Sequence, residues 1–371
     1  MHYLILFAYW LIFWQRFLRN PYLLSTSEVA STYFPFWLSM GRKWKARDDI
    51  YYQYPACIPF LSMWYWPNVL VSKLSKFLST DGAFKLYAYF ILSHYLLASI
   101  IAYKLLGLFG AITLTYAGYC IKPQTPSFVY TMCWMPGMFI DGWFGIFSTA
   151  MAVLGGYWPI LVYVIPVAGI SHPVSLIGLV LGLPQIIPFM WYWKRSVRNG
   201  EKVDRDFGRL PWWKLKDLFW PTKSVGLING VHYPEGEMYM GCTVALSFLS
   251  FQIGIYPFLG CIVLLLLGII PPVQRIPMRA IYLLSILLTI LACRNIYILD
   301  LKGVPITTVI LLQAYLLLRN SNIYPSFPFS QWWKKPSELY AKFAYNGTWP
   351  NVTGYLRNVP ISTYQGAFRL K

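Results

Sequence analysis

Apolar residues run in long blocks along this chain, and the polar residues fall in the gaps between them. The clearest blocks are HYLILFAYWLIFW (2–14), KLYAYFILSHYLLASIIAYKLLGLF (85–109), WPILVYVIPVAG (158–169), VSLIGLVLGLPQIIPFMWYW (174–193), FLGCIVLLLLGII (258–270), AIYLLSILLTILAC (280–293) and TTVILLQAYLLL (307–318). None shows the alternation of period two that a barrel strand needs, so the pattern predicts helices. A membrane span takes roughly 20 apolar residues in helical form. Several blocks are shorter than that or broken by Pro, and with their neighbours they add up to about ten or eleven transmembrane helices. Lipid offers no partner to an unpaired backbone group, so these helices belong in one bundle. The expected fold is an all-α polytopic membrane protein.

Between the blocks lie two long polar stretches, 15–80 and 194–238. They divide a membrane region covering 1–320, and a polar, aromatic, turn-rich tail, 321–371, follows it. The tail is too short to bury much core of its own, so it is expected to pack on the bundle. Residues 2–14 have no basic run before them and no small-residue cleavage site after them, which makes them a retained first helix rather than a leader.

Composition sharpens the membrane reading. Hydrophobic residues make up 57% of the chain and charged residues 12%, against roughly 45–50% and about 25% in soluble domains. The net charge of +18 sits almost wholly between the blocks. Nucleic acid is a poor partner for cations interleaved with membrane helices. Anionic head groups or lipid-linked phosphates suit them better. The six cysteines form no CxxC pair and read as small core residues. His2, His94, His172 and His232 are too scattered for a haem or a histidine metal centre.

Thirteen acidic residues serve the whole chain, and three of them, Glu28, Asp48 and Asp49, share the first long loop. Two uses are open. Carboxylates beside a phosphate leaving group bind a divalent cation, Mg or Mn, or act as general base for an attacking hydroxyl. Alternatively, Glu28 starts a helix, and the Asp pair balances Arg42, Lys43, Lys45 and Arg47. Within the spans, His94 is an ionisable group in lipid and hence a candidate site, set against a plain interhelical hydrogen bond. Gln185 stands between Pro184 and Pro188, where an amide either meets a ligand or satisfies freed carbonyls. Glu235 and Glu237 precede a block and fit helix capping. Arg275 and Arg279 sit four apart, one helical turn, which suits either a forked grip on phosphate or snorkelling to head groups.

Taken in order, these landmarks resemble the YfhO-like bacterial membrane proteins of the GT-C glycosyltransferase superfamily. Glu28 with Pro35 in EVASTYFP matches the acidic residue after the family's first helix. YWPNVL (65–70) is similar to its aromatic-Pro-Pro-Asn-Leu element, and LSHYLLASIIAYKLLG (92–107) to its Leu-His helix. AGYCIKPQTPSFVYTMCWMP (117–136) and LGLPQIIPFMWYWKRSVR (181–198) follow in register. HYPEGEMYMG (232–241) then places Glu235 on the family's glutamate, and QRIPMRAIYLL (274–284) keeps both arginines.

The resemblance implies a GT-C-type bundle with both long loops extracytoplasmic, in a bacterial inner (cytoplasmic) membrane. It also implies sugar transfer from a polyprenyl-phosphate donor. Glu28 would be base or metal ligand, Asp48 or Asp49 the second acid, and His94, Gln185, Arg195, Arg198, Glu235, Arg275 and Arg279 would line the substrate. Three departures bear on activity: the family's second acidic position falls on Ile58, a frequent glutamate on Trp191, and a His-Pro-Gln turn on Tyr157, Trp158 and Pro159. The chain also lacks the family's large soluble C-terminal domain. Two functions of different class follow: a glycosyltransferase, or a catalytically degenerate relative (a pseudoenzyme) kept as a structural or lipid-binding subunit among protein partners. A coupled transporter ranks third, because few charges lie in the spans.

Overall fold

The computed structural model describes residues 1–26, 65–116, 126–195, 208–219, 240–249, 254–270 and 277–299, with Val29, Phe34, Trp37, Leu38 and two pairs within 227–232 besides. The described residues are helical apart from one short antiparallel pairing, in which Leu227 and Ile228 face His232 and Val231. The block at 307–318 and the tail lie outside the described residues.

Helix α1 (His2–Arg19) runs five residues beyond the apolar block. Arg16 and Arg19 occupy its last turn, where cations are favourable beside the exposed carbonyls. Asn20 then precedes Pro21, a position that disfavours helical backbone, and a 3-10 turn Pro21–Thr26 follows. α2 (Trp66–Leu74) has Pro67 at its start, where the missing N–H goes unnoticed. α3 (Thr80–Tyr116) is broken at Gly107, whose φ of 68° is open to glycine and strained for other residues.

α1 and α3 are antiparallel along their length. His2 Nδ1 meets the Tyr103 hydroxyl at 2.6 Å, Trp10 Nε1 donates to the Leu92 carbonyl at 2.8 Å, and Tyr22 lies against Phe84. These contacts define two ends of the bundle. Tyr103 and Lys104 mark the first end; Tyr22 and Lys85, whose ammonium lies 5.4 Å from the Tyr22 ring centre, mark the second. The two lysines are separated by about 28 Å of helix, close to the roughly 30 Å of a hydrocarbon core.

The later helices run between the same two ends. α4 (Pro126–Trp134) begins beside Tyr157 and Tyr282 through Phe128, and the 3-10 turn after it brings Phe139 to His172 at the first end. α5 (Trp143–Leu154) and α6 (Trp158–Ser171) go up and back. A 3-10 turn Pro173–Ile177 leads into α7 (Gly178–Leu181) and α8 (Leu183–Arg195), bent by 72° at Gly182. Phe189 stacks on Trp158, so α8 climbs to the second end. α7 fits against α5 because Gly178 has no Cβ: one placed there would sit 2.2 Å from the Ile146 carbonyl oxygen. Such small-residue contacts let helices approach where no hydrophobic driving force exists between them.

α9 (Cys242–Ser247), α10 (Tyr256–Leu266) and α11 (Ile281–Ile298) complete the described bundle. Twelve of the eighteen α11 residues are buried, making it the central strut. Among the described residues, two helical stretches, Thr80–Thr115 and Pro277–Ile298, are long and apolar enough to cross a membrane, and the bent pair Pro173–Leu181 with Leu183–Met190 is a third if it counts as one span. The chain is thus a helical membrane protein.

Candidate functional site

The polar chemistry of the described core gathers at the middle of α3. His94 is 1% exposed and about 13 Å along the helix from Lys85, near mid-depth. Its Nδ1 lies 2.5 Å from the Phe90 carbonyl and its Nε2 lies 2.9 Å from the Tyr65 hydroxyl. A carbonyl accepts only, so Nδ1 carries the proton and donates. In the neutral ring Nε2 is then the acceptor, and Tyr65 O–H donates to it. The Tyr65 oxygen in turn accepts Trp134 Nε1–H at 2.7 Å. The result is a directed chain, Trp134 to Tyr65 to His94 to the Phe90 carbonyl, with every proton assigned.

Rings fill the space around it. Tyr130 stacks on Tyr65 at 4.5 Å and lies 4.7 Å from His94, while its hydroxyl donates to Asn68 Oδ1 at 3.2 Å. Tyr65, Asn68 and Tyr130 have no exposed surface. Three separated stretches therefore meet here: YWPNVL through Tyr65 and Asn68, the α3 helix through His94, and α4 through Tyr130 and Trp134. The short α2 makes this possible, since it carries Tyr65 to the depth of His94. Both His94 nitrogens are engaged by protein groups, and the cluster is buried among rings.

Arg279 stands at the second end, half-buried in the 3-10 turn Pro277–Ala280 that starts α11. Its guanidinium lies 5.3 Å from the Tyr157 ring centre and within electrostatic reach of Tyr163. The Tyr163 hydroxyl is buried with no hydrogen-bond partner among the described residues. Tyr157 is held by its backbone N–H, which donates to Thr131 Oγ1 at 3.0 Å. Residue 157 is where the resemblance expects a polar turn; here the aromatic ring supports an arginine. Gln185 is 1% exposed in the first turn of α8, just past the bend, with its backbone N–H bonded to the Gly182 carbonyl at 2.9 Å.

Of the other residues expected at the site, Glu28, Asp48, Asp49, Arg198, Glu235 and Arg275 lie outside the described residues, and Arg195 is described only as the last residue of α8. Near Glu28, Val29 and Phe34 are buried, and Phe34 packs edge-on against Phe84 at 5.1 Å. Phe34 is thereby tied to the second end, where Arg279 also lies. Among the described residues no group of three or more His, Cys, Asp or Glu side chains forms a metal cluster.

Two features escape the sequence reading. An apolar cavity of about 200 Å³ near the first end is lined by Leu105, Phe139, Phe258, Leu287 and Ile290, with His172 and Ser171 as its polar wall. His172 Nδ1 is fixed by Asp141 Oδ1 at 2.7 Å. The other is a buried ion pair, Lys214 with Asp217, whose side chains are 1% and 4% exposed. Its i,i+3 spacing was visible in WWKLKDL, but nothing in the sequence marked that loop as buried. Compared with known proteins, the chain matches no family model, no curated protein and no solved structure.

Proposed function

We propose that the protein is a GT-C-like membrane glycosyltransferase that takes its sugar from a polyprenyl-phosphate donor at the second end of the bundle. The observation that supports this reading is the convergence of the resembling stretches. Residues 65–68, 94 and 130–134 share one cluster, while Arg279 and Phe34, six residues past Glu28, lie toward the end where both long stretches leave the bundle. In this reading Glu28 acts as general base or holds a divalent cation, Mg or Mn, and Asp48 or Asp49 supplies the second acid. Arg195, Arg198, Arg275 and Arg279 offset the charge left on the departing phosphate. Gln185 and Glu235 address the sugar, and the His94 cluster stiffens the floor beneath. The bilayer would be a bacterial inner membrane, with anionic lipids around the bundle.

A second reading has its own observation. The ring-filled surroundings of His94 put aromatic packing where a substrate pocket would need polar walls. That favours a degenerate relative serving as a structural or lipid-binding subunit with protein partners. Purified protein in vesicles, given polyprenyl-phosphate sugars of several kinds, separates the two. Donor binding with turnover abolished by Glu28→Gln supports the enzyme. Turnover unchanged in that variant removes Glu28 from the chemistry, and absence of any donor binding favours the subunit.

A further inference from the structure

The segment from Gly208 to Phe219 carries an unusual surface. Trp212 is 76% exposed, Trp213 48% and Phe219 56%. Yet the segment is firmly held. Leu210 N–H donates to the Leu266 carbonyl at 2.7 Å, Met278 N–H to the Gly208 carbonyl at 2.9 Å, and Met240 N–H to the Leu218 carbonyl at 2.9 Å. These bonds fix it to the end of α10 and the start of α11, beside Arg279 at the second end. Inside it, Lys214 and Asp217 pair and are withdrawn from the surface.

The consequence is that the exposed charges within the described residues 208–219 share one sign. Asp217 is the one acidic residue of 208–219, and it is buried; Arg209 and Lys216 are exposed. The Lys216 ammonium lies 5.9 Å from the Trp213 ring centre, so the cation rides on the indole. Two adjacent exposed indoles flanked by cations, at the end of an apolar helical bundle, match the chemistry of the head-group layer. There the ring body meets acyl chain, the N–H meets water and phosphate, and lysine meets anionic lipid. A protein partner would more commonly meet a depleted-lysine patch with mixed polar rim.

We propose that residues 208–219 form an interfacial anchor that seats Trp212 and Trp213 in the head-group layer of an anionic leaflet, with the buried Lys214–Asp217 pair holding the segment in shape. This rests on surface chemistry and stands whether or not the protein transfers sugar. The test places a photoreactive benzoyl-phenylalanine at position 212 of the full chain, an exposed site where the swap leaves packing intact. The protein goes into phosphatidylcholine vesicles with and without phosphatidylglycerol. The expected product is a lipid adduct, increased by phosphatidylglycerol. Lys216→Glu should reduce that increase about fivefold or more, since losing one cation at an anionic surface is alone worth about fivefold and the new carboxylate adds repulsion. Adducts to protein alone, or no lipid adduct in either vesicle, would overturn the proposal, and so would a lipid adduct indifferent to both phosphatidylglycerol and Lys216→Glu.

Discussion

Tyr65→Phe is the sharpest probe of the His94 cluster, because it removes one oxygen and leaves every ring in place. That oxygen does two jobs: it donates to His94 Nε2 and accepts from Trp134 Nε1. Both partners are buried, at 1% and 7% exposure, and within the packed rings neither has a ready replacement. An orphaned buried polar group costs about 1–3 kcal/mol, so two of them set an upper range of about 2–6 kcal/mol. Interhelical hydrogen bonds measured inside a membrane protein average nearer ~0.6 kcal/mol, up to ~1.7, which sets a lower range of about 1–3 kcal/mol for the pair.

The expected cost of Tyr65→Phe is therefore about 2 kcal/mol, at the overlap of these ranges. A double-mutant cycle with Trp134→Phe reads the geometry more directly. With Tyr65 present, Trp134→Phe breaks a bond; with Tyr65→Phe in place, it deletes an orphan donor and should cost about 1 kcal/mol less. Reversible unfolding in mixed detergent micelles, followed by near-ultraviolet circular dichroism, measures all four corners. Equal cost of Trp134→Phe in both backgrounds would refute the directed chain, as would a Tyr65→Phe variant as stable as the parent.

Three further outcomes follow from the packing. Lys214→Met should destabilise by about 3–5 kcal/mol because it strands Asp217 in a buried position, whereas Lys214→Met with Asp217→Leu should recover most of that loss; thermal unfolding of the two variants decides it. Gly178→Ala drives a Cβ to 2.2 Å from the Ile146 carbonyl oxygen and 2.9 Å from the Ala150 nitrogen, which are backbone atoms. It should cost about 1–3 kcal/mol through forced separation of α5 and α7, read as a lowered midpoint of thermal unfolding. Lys85→Cys and Lys104→Cys should react with an impermeant maleimide from opposite sides of sealed vesicles, since α3 crosses between them; labelling of both from one side would end that reading.

The apolar blocks were enough to place α1, α3, α6, α10 and α11 in outline, because burial in lipid or core writes itself as long runs of Leu, Ile, Val and aromatic residues. The block 174–193 reads as one stretch but holds a 3-10 turn, α7 and α8, bent by 72° at Gly182. Boundaries were weaker: α1 outlasts its block, since Arg16, Phe17 and Leu18 continue the helix although the run of apolar residues has stopped. Of the site, His94, Gln185 and Arg279 were picked out as polar groups in apolar surroundings, and each is buried or half-buried in the fold.

What no one-dimensional pattern carried was who meets whom. Tyr65 bonds His94, 29 residues away in sequence, and Trp134, 69 residues away, and a hydrogen bond across such separations depends on how α2 dips beside α3 and how α4 lies over both. The Lys214–Asp217 pair was likewise only two opposite charges in a basic loop until chain folding removed them from water. Sequence determined the solvent of this protein, because hydropathy is a sum over local residues. Tertiary structure decided which polar atoms face one another, because a directional bond of about 3 Å is set by the relative placement of whole helices.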